Sequence, residues 1–230
     1  MLKFNKSAGR FLLLFLFSCG QSTQVKNTDT VETVHSNIKS DSLRHASASR
    51  NILFFGNSIT AGYGVEMSEA FPALIQERID SMNLSYKVIN AGLSGETSSG
   101  GKNRIDWILQ QPVDIFVLEL GGNDGLRGIP LEETEKNLQV IIDHVKKKYP
   151  SAKVILAGMQ IPPNMGEKYA GDFKKMFVKL SEKNNTILIP FLLEGVGGVP
   201  SLNQPDGIHP NVKGHQIVAD NVWKVLEKIL

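Results

Sequence analysis

Five short runs of the chain are apolar without alternation: residues 51–55, 86–90, 114–120, 153–157 and 186–191. Val, Ile, Leu and Phe dominate them, which suits strands buried on both faces rather than strands with one wet side. Between these runs the apolar positions fall at helical spacing. Phe71, Leu74, Ile75, Ile79 and Met82 share one stripe, and Leu138, Ile141, Ile142 and Val145 share another. Tyr169, Phe173, Met176, Phe177 and Leu180 repeat the pattern, as do Val218, Val222, Val225, Leu226 and Ile229. Such stripes are the core-facing sides of surface helices. Strands and helices in alternation, with crossovers of this length, predict an α/β fold in three layers. A five-stranded parallel sheet would lie between helices on both faces.

The first 50 residues have neither pattern. Lys3, Lys6 and Arg10 precede an apolar run from Phe11 to Phe17, which is too short to span a bilayer as a helix. Residues 1–19 therefore predict an export signal. Its last residue is the only cysteine, and the segment from Leu16 to Cys19 resembles a bacterial lipoprotein signal. That resemblance implies lipidation of Cys19 and an anchor in a bacterial membrane, in the periplasm or cell envelope. An ordinary secretory signal that happens to contain a cysteine is the other reading. Residues 20–50 are rich in Ser, Thr, Asn, Gln and Lys, with no apolar face, and read as a flexible tether. Residues 51–230 then form one domain, long enough to bury one substantial core and expected to act as a monomer.

Charge narrows the partners. A net +2 over 230 residues is close to neutral, and no basic stretch alternates with aromatics. Lys146, Lys147 and Lys148 close a helix, where positive charge suits the dipole, so nucleic acid is not an expected partner.

Chemistry gathers where the apolar runs end. The first leads through Gly56 and Asn57 into Ser58, and about 150 residues later come Asp206 and His209, three apart. A serine hydroxyl becomes a nucleophile when a base takes its proton, and a histidine oriented by a carboxylate is the usual base. Gly92 and Asn123 follow shortly after the second and third runs. In open α/β sheets, ligands bind beyond the carboxyl ends of the strands, where these residues fall. Each of them alone is also ordinary turn or capping chemistry; their joint placement points to a serine hydrolase. His215 and His144 are weaker candidates for the base, one inside the last helix and the other beside the lysine run. No Gly-x-Ser-x-Gly, His-Glu-x-x-His, phosphate-binding loop or dinucleotide fingerprint occurs, and no metal or organic cofactor is called for.

The arrangement resembles the SGNH, or GDSL-type, esterase and lipase superfamily, whose four marker residues match Ser58, Gly92, Asn123 and His209. The likeness runs from residue 51 to the C-terminus. The stretches from Glu119 to Gly128 and from Asp206 to Asn211 look like the branch containing bacterial thioesterases, lysophospholipases and arylesterases. It implies a flavodoxin-like strand order and a Ser58–His209–Asp206 triad working through an acyl-enzyme. It also implies an oxyanion hole made by the N–H groups of Ser58 and Gly92 and the Asn123 amide. One departure is plain: the family's Gly-Asp-Ser-Leu is Gly-Asn-Ser-Ile here, with Asn57 in place of the acid.

The loops after the strands offer Leu126, Ile129, Ile161 and Met165 as substrate-binding residues, and apolar lining favours an acyl or aryl group in a small ester or thioester. A carbohydrate O-acetylesterase would share the catalytic residues and differ in the pocket. A surface lipoprotein that only binds could keep the fold, but should have lost part of the constellation.

Overall fold

The computed structural model describes residues 49–230. The expected export signal, Cys19 and nearly all of the expected tether lie outside the described residues. Five parallel strands form one sheet: β1 (Arg50–Gly56), β2 (Tyr86–Gly92), β3 (Ile115–Glu119), β4 (Lys153–Ala157) and β5 (Ile187–Ile189). Their spatial order is β2-β1-β3-β4-β5, the flavodoxin-like order. The first strand begins at Arg50, one residue inside the expected tether.

Among the described residues, seven α-helices accompany the sheet: α1 (Ser58–Ala61), α2 (Phe71–Ser81), α3 (Ser98–Ile108), α4 (Gly122–Leu126), α5 (Leu131–Lys148), α6 (Glu167–Asn184) and α7 (Val212–Leu226). Helices α2 and α7 pack together, as do α3 with α5 and α5 with α6. Neighbouring residues of β1 show why both faces must be covered. Phe54 meets Phe71 of α2 edge to face at 5.4 Å, while Phe55 lies against Phe116 and beneath α3. Both are fully buried, as β3 is along its whole length.

The α5, α6 and α7 stripes are largely buried as expected. Met82 is a correction: it follows the end of α2 and is 57% exposed. Helix α3 carries no such stripe. It buries Ser98, Gly101, Ile105 and Ile108, and Thr97 caps it by accepting from the Gly100 N–H at 3.3 Å.

Register places the site. Gly56 pairs with Gly92 on one side and with Glu119 on the other, so β1, β2 and β3 end at one level. Ser58 follows two residues after Gly56, and Asn123 four after Glu119. Both therefore emerge at the carboxyl edge of the sheet, beside the point where the strand order reverses.

Candidate active site

Ser58 opens the four-residue helix α1, and Asn57 caps it. The Asn57 Oδ1 accepts from the Ile59 N–H at 2.9 Å, while its Nδ2 donates to Glu119 Oε1 at 2.6 Å. Glu119 is 1% exposed, and its Oε2 accepts from the Asn57 N–H at 3.0 Å and the Thr60 hydroxyl at 2.8 Å. The carboxyl thus ties three points of the serine turn to the end of β3. Burial pushes it up to about 7, and the donors from Asn57 and Thr60 pull the other way.

His209 reaches Ser58 from the segment before α7. Its Nε2 lies 2.8 Å from Ser58 Oγ, and its Nδ1 lies 2.7 Å from Asp206 Oδ2. The other oxygen of Asp206 accepts from the N–H groups of Ile208 at 2.8 Å and His209 at 3.0 Å. The loop's own backbone therefore aims the carboxylate. Those bonds, led by the His209 N–H, hold Asp206 down to about 2. Gly207 permits the tight turn with φ of +70°. The expected trio is brought together in one line: hydroxyl, then imidazole, then the carboxylate that orients it.

His215 is elsewhere. It is 1% exposed, accepts from the Phe71 N–H at 3.3 Å, and is held down to about 4 by burial. His144 pairs with Asp106 at 2.7 Å near the surface.

Asn123 lines the cavity beside Ser58 and gives one amide hydrogen to Glu96 O at 2.9 Å, which leaves a second hydrogen to aim at a ligand. Gly92 does not join it. Its N–H already donates to Asn90 Oδ1 at 2.9 Å, and a methyl at its Cα would strike the backbone of Thr60 and Ala61. The missing side chain does permit a close approach, but of α1 rather than substrate. Strand β2 simply runs to Gly92, beyond the expected end at 90. The free donor is one turn further on. Gly95, with φ of +79°, has an N–H that reaches no acceptor among the described residues, and the same holds for Ser58.

Sequence reading missed the supports of this edge. Glu96 is buried and paired with Arg104, which also donates to Ala91 O at 2.8 Å and lies 4.2 Å over the Phe55 ring. Asp124 is buried and accepts from the Ser98 hydroxyl at 2.5 Å and its N–H at 2.8 Å. The available signal was an acid at the end of an apolar strand, as Glu119 is, or directly after a marker residue, as Asp124 is.

A cavity of about 380 Å³ opens on Ser58, Asn123 and His209, with Leu126, Met159, Ile161, Phe191, Leu193 and Ile208 in its wall. Leu126 and Ile161 were expected there. Ile129 and Met165 are not in the wall. The Ile129 N–H donates to Asp124 O at 3.0 Å and its carbonyl accepts from Tyr169 at 2.6 Å, which holds it to its own loop. Met165 packs against the core instead.

A model described as the GDSL-like lipase/acylhydrolase family matches residues 54–217. Esterase TesA of Pseudomonas aeruginosa is 39% identical over 189 residues, 82% of this chain and 93% of that protein. Thioesterase 1/protease 1/lysophospholipase L1 of Escherichia coli strain K12 is 37% identical over 186 residues, 80% of this chain and 87% of that one. The crystal structure of TesA is similar with a TM-score of 0.75 at 39% identity, covering 79% of this chain and 100% of that one. The family match spans the serine turn, strands β2 to β5 and the histidine loop together, and the chain belongs to the GDSL-like lipase/acylhydrolase family of enzymes.

Proposed function

We propose that this chain is a serine esterase that hydrolyses acyl esters or thioesters through an acyl-enzyme. The observation that carries the reading is the line of 2.8 and 2.7 Å contacts from Ser58 through His209 to Asp206, opening on an apolar cavity. As Ser58 Oγ attacks the carbonyl carbon, His209 Nε2 takes the hydroxyl proton, and Asp206 holds the imidazole so that Nδ1 keeps its own. The carbonyl oxygen becomes an anion, met by the Ser58 N–H and the Asn123 amide. The unpaired N–H of Gly95 serves as third donor in place of Gly92. His209 then gives its proton to the departing alcohol or thiol, leaving the acyl group on Ser58. A water loses its proton to His209 and attacks this ester, and Ser58 is restored when the acid leaves.

Leu126, Met159, Ile161, Phe191 and Leu193 suit an acyl chain better than an acetylated sugar, which would need many hydrogen-bonding groups. The printed activities of the relatives, esterase and thioesterase/lysophospholipase, fall in the same class. Export by residues 1–19 and lipid attachment at Cys19 complete the proposal; a shift of the full chain from membrane to soluble fraction in Cys19→Ser tests it.

An organophosphorus reagent should label Ser58 and stop all ester hydrolysis, while Ser58→Ala should be inert. On p-nitrophenyl esters, kcat/KM should climb from acetate to medium chains, since each methylene buried contributes up to about 0.8 kcal/mol. Label found elsewhere would overturn the nucleophile, and a peak at acetate would move the enzyme to the acetylesterases.

A further inference from the structure

Ser58 and His209 are 151 residues apart in the chain, and their alignment at 2.8 Å has to be imposed across the gap between two separate loops. Asp206 cannot impose it. It sits on the same loop as His209, takes its hydrogen bonds from that loop, and would move with it. The tip of that loop, from Asp206 to Ile208, is exposed. Something else must hold the histidine loop against the serine turn.

Among the described residues, only two hydrogen bonds join residues 57–65 to residues 200–211. One is the Ser58–His209 contact itself. The other runs from Gln204 Nε2 to the Tyr63 carbonyl at 2.6 Å. The same nitrogen donates to Pro210 O at 3.1 Å, and the Gln204 backbone N–H donates to His209 O at 2.7 Å. Both side-chain partners are carbonyls, so the amide must turn its nitrogen toward them. Gln204 therefore grips the two peptides that follow the His209 side chain and the end of the serine turn at once. The Tyr63 N–H in turn donates to Ser58 O at 3.0 Å, which carries the grip back to the nucleophile.

A second observation points to the same seat. Gly64 has φ of +77°, and a methyl on it would collide with the Gln204 amide. The turn after Tyr63 leaves room for that side chain to lie across it.

We propose that Gln204, seated on Gly64, is a positioning residue that sets the distance between Ser58 Oγ and His209 Nε2. This rests on the esterase reading given above. Both half-reactions pass a proton along that one contact, and a misplacement of about 1 Å at a reacting pair can cost about 100-fold in rate. Gln204 would touch neither substrate nor proton; it acts through the two loops it clamps.

The test uses the purified enzyme with Gln204→Met, which keeps the shape and loses the donor, Gly64→Ala, and the double variant. Gln204→Met should lose about 10- to 100-fold in kcat with KM within about twofold, because alignment and not binding is lost. Phosphonylation of Ser58 should slow in parallel. The pH midpoint of kcat/KM should stay in place, since His209 keeps Asp206. Gly64→Ala leaves every group of Gln204 intact but also strains a backbone at φ of +77°, so its loss in kcat is read through the double variant, which separates the seat from the strain. The double variant should be no worse than Gln204→Met, because both changes break one device. Wild-type kcat in Gln204→Met, losses that only track melting temperature, or multiplying losses in the double variant would overturn the proposal. An active Ser58→Ala enzyme would overturn the esterase reading instead, which keeps the two failures apart.

Discussion

Asn57 decides the electrostatics of the serine turn. Its Nδ2 donates to Glu119 Oε1 at 2.6 Å, at a position where the family motif carries an acid. Asn57→Asp would set two carboxyls against each other, both almost without solvent, and one of them would have to keep a proton. That shared proton has a folded-state pKa above the value in the unfolded chain. The variant's relative stability is therefore present at low pH and is lost as pH rises through the folded value. Wild type already holds a proton on Glu119 up to about 7, so the gap in melting temperature between wild type and Asn57→Asp should be level in acid and widen above that value, toward about pH 9. A gap of constant width across that range would show that the two carboxyls do not interact.

Helix α3 shows the contest between local preference and packing. Its first turn, Ser98-Ser99-Gly100-Gly101, is poor helix-forming sequence and carries no apolar stripe, so periodicity could not reveal it. It is helical because Thr97 caps it, Ser98 bonds to Asp124, and Ile105 and Ile108 pack inward. The strands and α5, α6 and α7 were legible because burial on the sheet demands dense apolar patterns. The positions of Ser58, Asn123, Asp206 and His209 were legible because hydrolytic chemistry allows few substitutes. Gly92 was misplaced for a physical reason: a glycine that admits a backbone neighbour looks in sequence like one that admits a ligand. Gly101 makes the conflict measurable. Alanine should gain up to about 1 kcal/mol in helix propensity, but its methyl would meet the Leu120 side chain, with Phe55 and Ile141 close behind. Overpacking of this kind costs about 1–3 kcal/mol, so packing should win and Gly101→Ala should melt below wild type. A higher melting temperature would mean that Leu120 has a free rotamer to retreat to.

Over the whole molecule, two buried groups pull the pH dependence of stability in opposite directions. Glu119 is raised by burial from 4.5 to about 7, so the folded chain holds a proton there that the unfolded chain has released. Its contribution is present below 4.5 and is lost as pH rises through about 7. His215 is lowered by burial from 6.5 to about 4, so there the unfolded chain holds the extra proton. Its contribution is present above 6.5 and is lost as pH falls through about 4. The two slopes are of equal size and opposite sign wherever the windows overlap, which is between 4.5 and 6.5. Below that range, Asp206 adds a further loss as pH falls from 3.8 toward about 2, reduced by solvent because its side chain is 38% exposed. Wild-type stability should therefore be nearly level across the overlap and fall in more acid solution. Glu119→Gln removes one slope and should leave a protein that loses stability as it is acidified through the overlap. His215→Gln removes the other and should gain stability over the same acidification. The quantity to compare is the change with pH at fixed ionic strength, not the absolute melting temperature of either variant. Parallel curves for all three proteins would show that neither burial shifts a proton on folding, and would leave the acid sensitivity to Asp206 and its loop.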